Sequence, residues 1–229
     1  IDTAGTYDFS GIGISAVAGE ALAGLTITTP GNGTNSITAT AGNDSITGGT
    51  GADTIIGGAG QDTISGGNGN DTIVIGTSAE TKGSGYADTD TTAEFDTITF
   101  VVADDTFQLS SELNAYGTGI QFGSSTSIDV TAVAVDGTTD DAVQSLADLA
   151  AAVQAASAGV ASTSSAAKVY LVTLSGSTTD DAADDDWEEG ADGVYLVIND
   201  GTATISADDT WLDITGVTGT VASSDFTIG

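Results

Sequence analysis

Three consecutive nonapeptides decide the fold of this chain: GGTGADTII at 48–56, GGAGQDTIS at 57–65 and GGNGNDTIV at 66–74. Two degenerate copies precede them, PGNGTNSIT at 30–38 and ATAGNDSIT at 39–47. Agreement in three phases over five units predicts a solenoid made of one short repeating element. The residues in phase are Gly33, Gly42, Gly51, Gly60 and Gly69, then Asn35, Asp44, Asp53, Asp62 and Asp71, and then Ile37, Ile46, Ile55, Ile64 and Ile73.

The residue types indicate what each unit does. Paired glycines permit backbone angles closed to other residues, so the chain turns tightly and its carbonyls are free to face a cation. The aspartate adds a charged oxygen, and the next three residues form a very short strand with its isoleucine inward. Two units make one coil of 18 residues, so each glycine loop stacks on the loop one coil later. Calcium prefers six to eight oxygen ligands, which a pair of stacked loops supplies.

The charge of the chain favours cations as partners. Among 229 residues there are 33 acidic and 2 basic ones, Lys82 and Lys168, which gives a formal charge of −31. Nucleic acid and anionic membrane surfaces both need a positive footprint on a protein, so neither is an expected partner. Because 39% of the residues are apolar, the chain is not a disordered acidic tail.

Composition also limits the chemistry. Without cysteine there are no disulfides or thiolate metal sites, and without histidine neither an HExxH motif nor a Ser-His triad exists. An aspartate-only glycosidase site stays open, but no pair of acids is marked as lining a cleft. We therefore expect no enzyme. No apolar run approaches the ~20 residues of a membrane helix, so direct membrane insertion is not expected.

The motif GGxGxDxUx, in which U is apolar, resembles the nonapeptide of the repeats-in-toxin (RTX) family of secreted bacterial proteins. The resemblance implies a parallel β-roll in which the first six residues of each unit form half a calcium site. It pairs Asn35 with Asp53, Asp44 with Asp62, and Asp53 with Asp71, and we expect three to five Ca²⁺ ions. The glycines implied as ligands are Gly33, Gly42, Gly48, Gly49, Gly51, Gly57, Gly58, Gly60, Gly66, Gly67 and Gly69.

The period breaks after residue 75. Register predicts an aspartate at 80 and an apolar residue at 82, but the chain has Glu80 and Lys82. A lysine in a dry core is costly, so the regular roll is expected to end near Ile75. Glu80 or Asp88 then completes the last half-sites, and 96–98 resumes a final strand.

The flanks predict a mostly β protein of three parts. Residues 1–30 read as strands leading into the roll, 31–96 as the calcium-binding β-roll, and 97–229 as a β-rich capping and secretion domain. The last part contains one helix near 140–156 and a hairpin at Asp200-Gly201. Its expected strands are 97–102, 128–135, 169–174, 194–199, 202–206 and 211–215.

Two acidic segments have two readings each. The end of the chain, 225–229, resembles the type I secretion signals of RTX proteins, and otherwise reads as an ordinary edge strand. The segment 180–189 holds seven acids, and is either a solvated loop or a cation site between molecules.

Three functions fit these features. We favour a secreted structural protein of the bacterial cell surface, a calcium-dependent surface-layer (S-layer) or filament subunit that binds copies of itself. The alternative is the folding and secretion module of an exported protease or lipase, with catalysis upstream of Ile1 in a longer parent chain. The third is an adhesin or ice-binding solenoid, which would need a regular Thr-x-Thr ladder. In sequence, the Thr-x-Thr stretches at 26–28 and 38–40 stand isolated.

Overall fold

The structure is a computed structural model, and it describes only part of the chain. The described residues are 5–8, 23–29, 31–76, 96–99, 101, 104–109, 129–136, 146–156, 168–175, 193–198, 204–205 and 209–228. They confirm a mostly β fold with a parallel roll of repeat strands. No helix formed by these residues has the length and apolarity needed to cross a bilayer.

Successive strands of the roll alternate between two sheets, because each nonapeptide contributes one strand and one reversing loop. One sheet has the order β1 (Gly5–Asp8), β3 (Asn35–Thr38), β5 (Thr54–Ile56), β7 (Thr72–Ile75), β9 (Thr106–Leu109) and β14 (Phe226–Ile228). The other has the order β2 (Ala23–Thr28), β4 (Asn43–Thr47), β6 (Thr63–Ser65), β8 (Asp96–Thr99), β13 (Thr210–Asp213), β12 (Gly193–Ile198), β11 (Lys168–Ser175) and β10 (Asp129–Asp136). They are called below the six-stranded and the eight-stranded sheet.

The isoleucine columns form the core between the two sheets. In the six-stranded sheet Ile37 pairs with Ile55 and Ile55 with Ile73, each one coil apart, and all three are buried. In the eight-stranded sheet Ile46 pairs with Ile64 in the same way. Burial of one isoleucine side chain contributes about 1.5–3 kcal/mol, so each nonapeptide adds a similar increment to the stability of the stack.

The roll continues beyond Ile75 with a longer connection. β8 pairs with β6, which matches Ile98 to Ile64, and β9 pairs with β7, which matches Phe107 to Ile73. These offsets are 34 residues instead of 18, so 16 extra residues enter between β7 and β8. The break in the regular roll after Ile75 and the strand expected at 96–98 are confirmed, but that strand is not the final one, because β9 follows it in the same pairing.

The C-terminal part completes both sheets at the downstream end. β14 lies parallel to β9, and the rings of Phe107 and Phe226 stack with centroids 5.2 Å apart. β13 lies parallel to β8, and β12 and β11 follow it as antiparallel strands. Helix α1 (Leu146–Ala156) contributes Leu149 and Val153 to a second core on the outer face of these strands. A solenoid needs such an end cover to keep its last apolar coil from water.

Several expected flank elements are confirmed, with different ends. The expected strands at 97–102, 128–135, 169–174, 194–199 and 211–215 correspond to β8, β10, β11, β12 and β13. The strand expected at 202–206 is not confirmed: its described residues, Thr204 and Ile205, are not in a strand. The antiparallel partners of β12 are β11 and β13 instead.

The upstream flank belongs to the same sheets as the roll. β1 pairs with β3, and β2 pairs with β4. The sheets therefore continue across 30/31 and across 96/97, the expected limits of the three parts.

A ladder of hydroxyl groups runs along the outer face of the eight-stranded sheet. The interpretation of Thr26-Ile27-Thr28 as isolated is wrong, because pairing aligns it with residues 45–47, 63–65 and 97–99. The alternation of a strand sends the isoleucine of each triplet inward and both neighbours outward. The ladder consists of Thr26, Thr28, Ser45, Thr47, Thr63, Ser65, Thr97 and Thr99, all exposed or half-buried.

Candidate metal centre

Stacked aspartates form a carboxylate ladder on each side of the roll. At each rung one oxygen, Oδ1, accepts a hydrogen bond from the backbone N–H of the equivalent residue one coil earlier. On the side of the six-stranded sheet the N–H groups of Asn35, Asp53 and Asp71 donate to Asp53, Asp71 and Asp105, at 2.7, 2.9 and 2.8 Å. On the other side the N–H groups of Asp44 and Asp62 donate to Asp62 and Asp96, both at 2.8 Å.

The second oxygen of three rungs has no partner. Oδ2 of Asp53, Asp62 and Asp71 is buried without a hydrogen bond, and the three side chains are at most 1% exposed. Such an oxygen loses its hydration without compensation, which costs about 1–3 kcal/mol and more when it is charged. A proton or a cation bound at these three atoms would therefore stabilise the fold.

A glycine lies against each of these oxygens. A Cβ atom at Gly48, Gly57 or Gly66 would lie 2.7, 2.3 or 2.4 Å from Oδ2 of the aspartate five residues later. The glycine thus leaves open the space beside the carboxylate. We call these three pairs the open cradles: Gly48 with Asp53, Gly57 with Asp62, and Gly66 with Asp71.

A backbone carbonyl of a stacked loop enters one of these cradles, and other carbonyls lie against the neighbouring loop glycines. The carbonyl oxygen of Gly66 lies 2.5 Å from the position of a Cβ at Gly48, one coil earlier. Gly58 and Gly67 have φ of +100°, and a Cβ on either would lie about 2 Å from the carbonyl oxygen of Thr40 or Gly49. Only glycine lets the loops stack this closely and bring their carbonyls together.

The donor chemistry fits calcium. The cradles offer carboxylate and carbonyl oxygens at the ends of tight loops, the ligands that hard divalent cations prefer. Within the described residues no group of three or more acidic side chains is close enough to hold a metal by carboxylates alone. The remaining ligands would therefore be carbonyls, as the glycine-rich sequence requires.

Burial changes the acidity of the open carboxylates. Desolvation raises the pKa of Asp62 to about 7, and the neighbouring charge of Asp44 adds to the rise. Desolvation also raises the pKa of Asp71 to about 6, with repulsion from Asp105 and Asp53 as smaller causes. The pKa of Asp53 is raised by burial too, and hydrogen bonds from Asn35 oppose that rise. Without a cation, the fold favours the neutral form of these groups.

The structure places the other predicted ligands in different surroundings. Gly33 and Gly42 lie one coil before Gly51 and Gly60 and stack against them. Oδ2 of Asp44 is already bonded, because it accepts hydrogen bonds from the N–H and hydroxyl of Thr40 at 2.7 and 2.8 Å. Glu80 and Asp88 lie outside the described residues.

Sequence reasoning missed Asp96 and Asp105 as rungs of the ladder. Asp96 holds the position after Asp62 that Glu80 or Asp88 was expected to complete, and Asp105 follows Asp71. The pattern that would have found them is Asp-Thr-apolar at 96–98 and 105–107, which restores the nine-residue spacing. The chain itself satisfies the second oxygen of Asp105, because Oδ2 accepts a hydrogen bond from the backbone N–H of Val101 at 2.7 Å.

Comparison with known proteins identifies the repeat. The family model of the RTX calcium-binding nonapeptide repeat, 4 copies, matches residues 29–64 and 38–73. Among curated proteins no match was found.

Asp62→Asn tests an open cradle with little change of shape. The amide keeps an oxygen for the N–H of Asp44 but removes the charge and places an NH₂ where the ion would bind. We expect the loss of one bound Ca²⁺ and a higher calcium midpoint for folding, measured by titration calorimetry and circular dichroism. Asp104→Asn is the matched control, since Asp104 is exposed beside the ladder. Equal ion counts in the two variants would contradict the assignment.

The raised pKa values predict a pH dependence of calcium binding. A carboxyl whose pKa rises on folding stabilises the calcium-free fold below its unfolded pKa of 3.8, and that contribution is lost as pH rises through about 6 to 7. Protons compete with calcium for the same oxygens, so we expect the calcium midpoint to rise as pH falls from 8 to 5. Exposed carboxylates stay largely ionised in this window. A midpoint that is constant over this range would contradict the assignment.

Proposed function

We propose, from the premise that residues 29–73 are RTX calcium-binding nonapeptide repeats, that this chain is a secreted calcium-binding structural protein. RTX repeats imply calcium binding and export by type I secretion, and proteins that carry them are typically secreted. The proposal adds a role that is structural and not catalytic, at the bacterial cell surface. It also makes calcium the condition for folding.

The observation that carries the proposal is the set of three buried, unpartnered Oδ2 atoms in the open cradles. Each marks one place where a cation would replace a missing hydrogen bond. We therefore propose three calcium ions in the roll, at the lower end of the three to five expected from sequence. Two lie on the side of Asp53 and Asp71, and one lies on the side of Asp62.

Calcium binding would supply much of the stability of the roll. Each cradle needs loops from two coils, so no site exists in the unfolded chain and binding free energy becomes folding free energy. Extracellular calcium modules bind with Kd of ~10⁻⁴ to 10⁻³ M. At ligand concentrations about tenfold above Kd each site adds about 1.4 kcal/mol, so three add about 4 kcal/mol. That is close to the whole stability of a small domain. In a low-calcium cytosol the chain would stay extended, the form that a secretion channel requires.

Hydrogen exchange with and without calcium tests this switch. We expect the amides of Ile55, Ile64 and Ile73 to be protected in millimolar calcium and to lose protection in chelator. Amides of helix α1 serve as the internal control, because its Leu149 and Val153 pack in the second core and not in the core of the roll. Equal protection of the three isoleucine amides in both conditions would contradict the switch.

The proposal also includes self-assembly of the chain into an S-layer or filament. A chain of charge −31 cannot approach copies of itself without bridging cations. The hydroxyl ladder supports such contacts, because it is an uncharged face on a strongly acidic protein. The low lysine content and the absence of sulfur residues resemble calcium-dependent S-layer proteins.

The hydroxyl ladder also favours a second candidate, ice binding. Its eight hydroxyl side chains repeat at ~4.8 Å across the strands and ~6.7 Å along them. A regular array of this kind suits an ordered surface rather than a single small molecule. A folding module of an exported enzyme, the other alternative, makes no use of this face.

Chelation of the native assembly separates these candidates. If the chain is a lattice or filament subunit, excess chelator should dissolve the assembly into subunits, and calcium should restore it. Electron microscopy and analytical ultracentrifugation provide the readout. Assemblies that persist in chelator would contradict the proposal. A calcium-loaded chain that stays monomeric but arrests ice growth would favour the second candidate.

A further inference from the structure

The first position of the ladder beside the six-stranded sheet differs from the open cradles. Thr29 occupies the place of Gly48 one coil earlier: its N–H donates to the carbonyl of Thr47, as that of Gly48 donates to Ser65. Asn35 likewise occupies the place of Asp53. The first coil therefore has the same backbone arrangement, with threonine for the glycine and asparagine for the aspartate.

The side-chain amide of Asn35 is surrounded by oxygen atoms. Nδ2 donates to the carbonyls of Gly33 and Gly48 at 2.9 and 3.4 Å, to Oδ1 of Asp53 at 2.8 Å, and to the hydroxyl of Thr29 at 3.2 Å. The hydroxyl of Thr29 in turn donates to the carbonyl of Gly48. Asn35 is 3% exposed, so water does not provide these contacts.

These oxygens correspond to those that face the open cradle of Gly48 and Asp53. One coil later, the equivalents of Gly33, Gly48 and Asp53 are Gly51, Gly66 and Asp71. In that cradle the carbonyl of Gly66 enters the space beside Gly48, and Oδ2 of Asp53 has no partner. In the first coil the same space contains a hydroxyl and an NH₂ group, and no buried side-chain oxygen or nitrogen of Thr29 or Asn35 is left without a partner.

We propose that Thr29 and Asn35 form a built-in substitute for calcium, which closes the upstream end of this ladder by hydrogen bonds alone. The NH₂ group takes the place of the ion as the positive partner of the converging oxygens. Because asparagine is neutral where the other coils have aspartate, no divalent charge is needed for balance. Thus the residue pair at these two positions decides whether a coil binds calcium, an inference that rests on the proposed calcium sites.

The other side of the roll is also closed at its upstream end, but by a different arrangement: Thr40 takes the place of Gly58, and the aspartate, Asp44, is retained. There Thr40 bonds both oxygens of Asp44, at 3.1 Å and 2.8 Å from its hydroxyl. Both ladders therefore begin on a coil closed by a threonine hydroxyl, and the open cradles follow. The first coil of the roll would keep its polar contacts at calcium concentrations that leave the open cradles empty.

A reciprocal exchange of residue pairs tests the proposal in the full chain. The first variant, Thr29→Gly with Asn35→Asp, converts the closed coil into an open cradle. The second, Gly48→Thr with Asp53→Asn, converts an open cradle into a closed coil. Native mass spectrometry in excess calcium counts the bound ions, and circular dichroism verifies that each variant is folded.

We expect one ion more than wild type in the first variant and one fewer in the second. That pair of results supports the substitution. Any other pair of counts, or failure of either variant to fold in excess calcium, overturns it, because the two residue pairs would then not be interchangeable. A wild-type chain that binds no calcium would instead refute the proposed function, so the two failures are distinguishable.

Discussion

The constraint on which the roll depends is the stacking of buried carboxylates. Parallel coils lie about 4.8 Å apart, so Asp62 and Asp71 each have an aspartate in register one coil before and one coil after them. The chain cannot move these groups apart without breaking the strand pairing that buries its isoleucines. The two oxygens of each carboxylate have different roles. Oδ1 accepts a hydrogen bond from the backbone N–H of the neighbouring coil, and Oδ2 is left for a cation or for a group that imitates one.

This division explains why the core and the metal centre are one structure. The hydrogen bond from a backbone N–H to Oδ1 holds successive coils at the spacing at which Ile55 and Ile73 pack against each other. The same hydrogen bond aims Oδ2 at the glycine loop. A roll without cations therefore has its apolar contacts opposed by three desolvated acids, and loading the cradles removes that opposition. In the proposed function, folding and export depend on the calcium concentration through these few atoms.

At the upstream ends of both ladders, and at the downstream end beside the six-stranded sheet, groups of the chain itself take the hydrogen-bonding role proposed for calcium. Upstream, Thr29 and Asn35 on one side and Thr40 on the other satisfy the polar groups of the first coils. Downstream, the backbone N–H of Val101 bonds Asp105, and β13 and β14 cover the last strands of the two sheets. The open cradles are thus confined to the middle coils, where each has a neighbour on both sides. Closed ends limit fraying at the places where a solenoid is weakest.

The sequence by itself determined the repeat, the two-sheet roll and the type of metal ligand, because these follow from local rules. A glycine pair permits a tight turn, and the isoleucine of each unit is buried in the core. Because the chain has no histidine or cysteine, its acidic loops offer oxygen ligands only. Tertiary structure decided which loops are open and where the roll ends. Asn35 and Asp44 occupy the same sequence phase as Asp53, but the contacts that satisfy them come from Thr29 and Thr40 in the folded coil. The return of Asp96 and Asp105 after 16 extra residues likewise depends on strand pairing. The 18-residue offset no longer holds there, so the sequence does not show which earlier loop each of them stacks on.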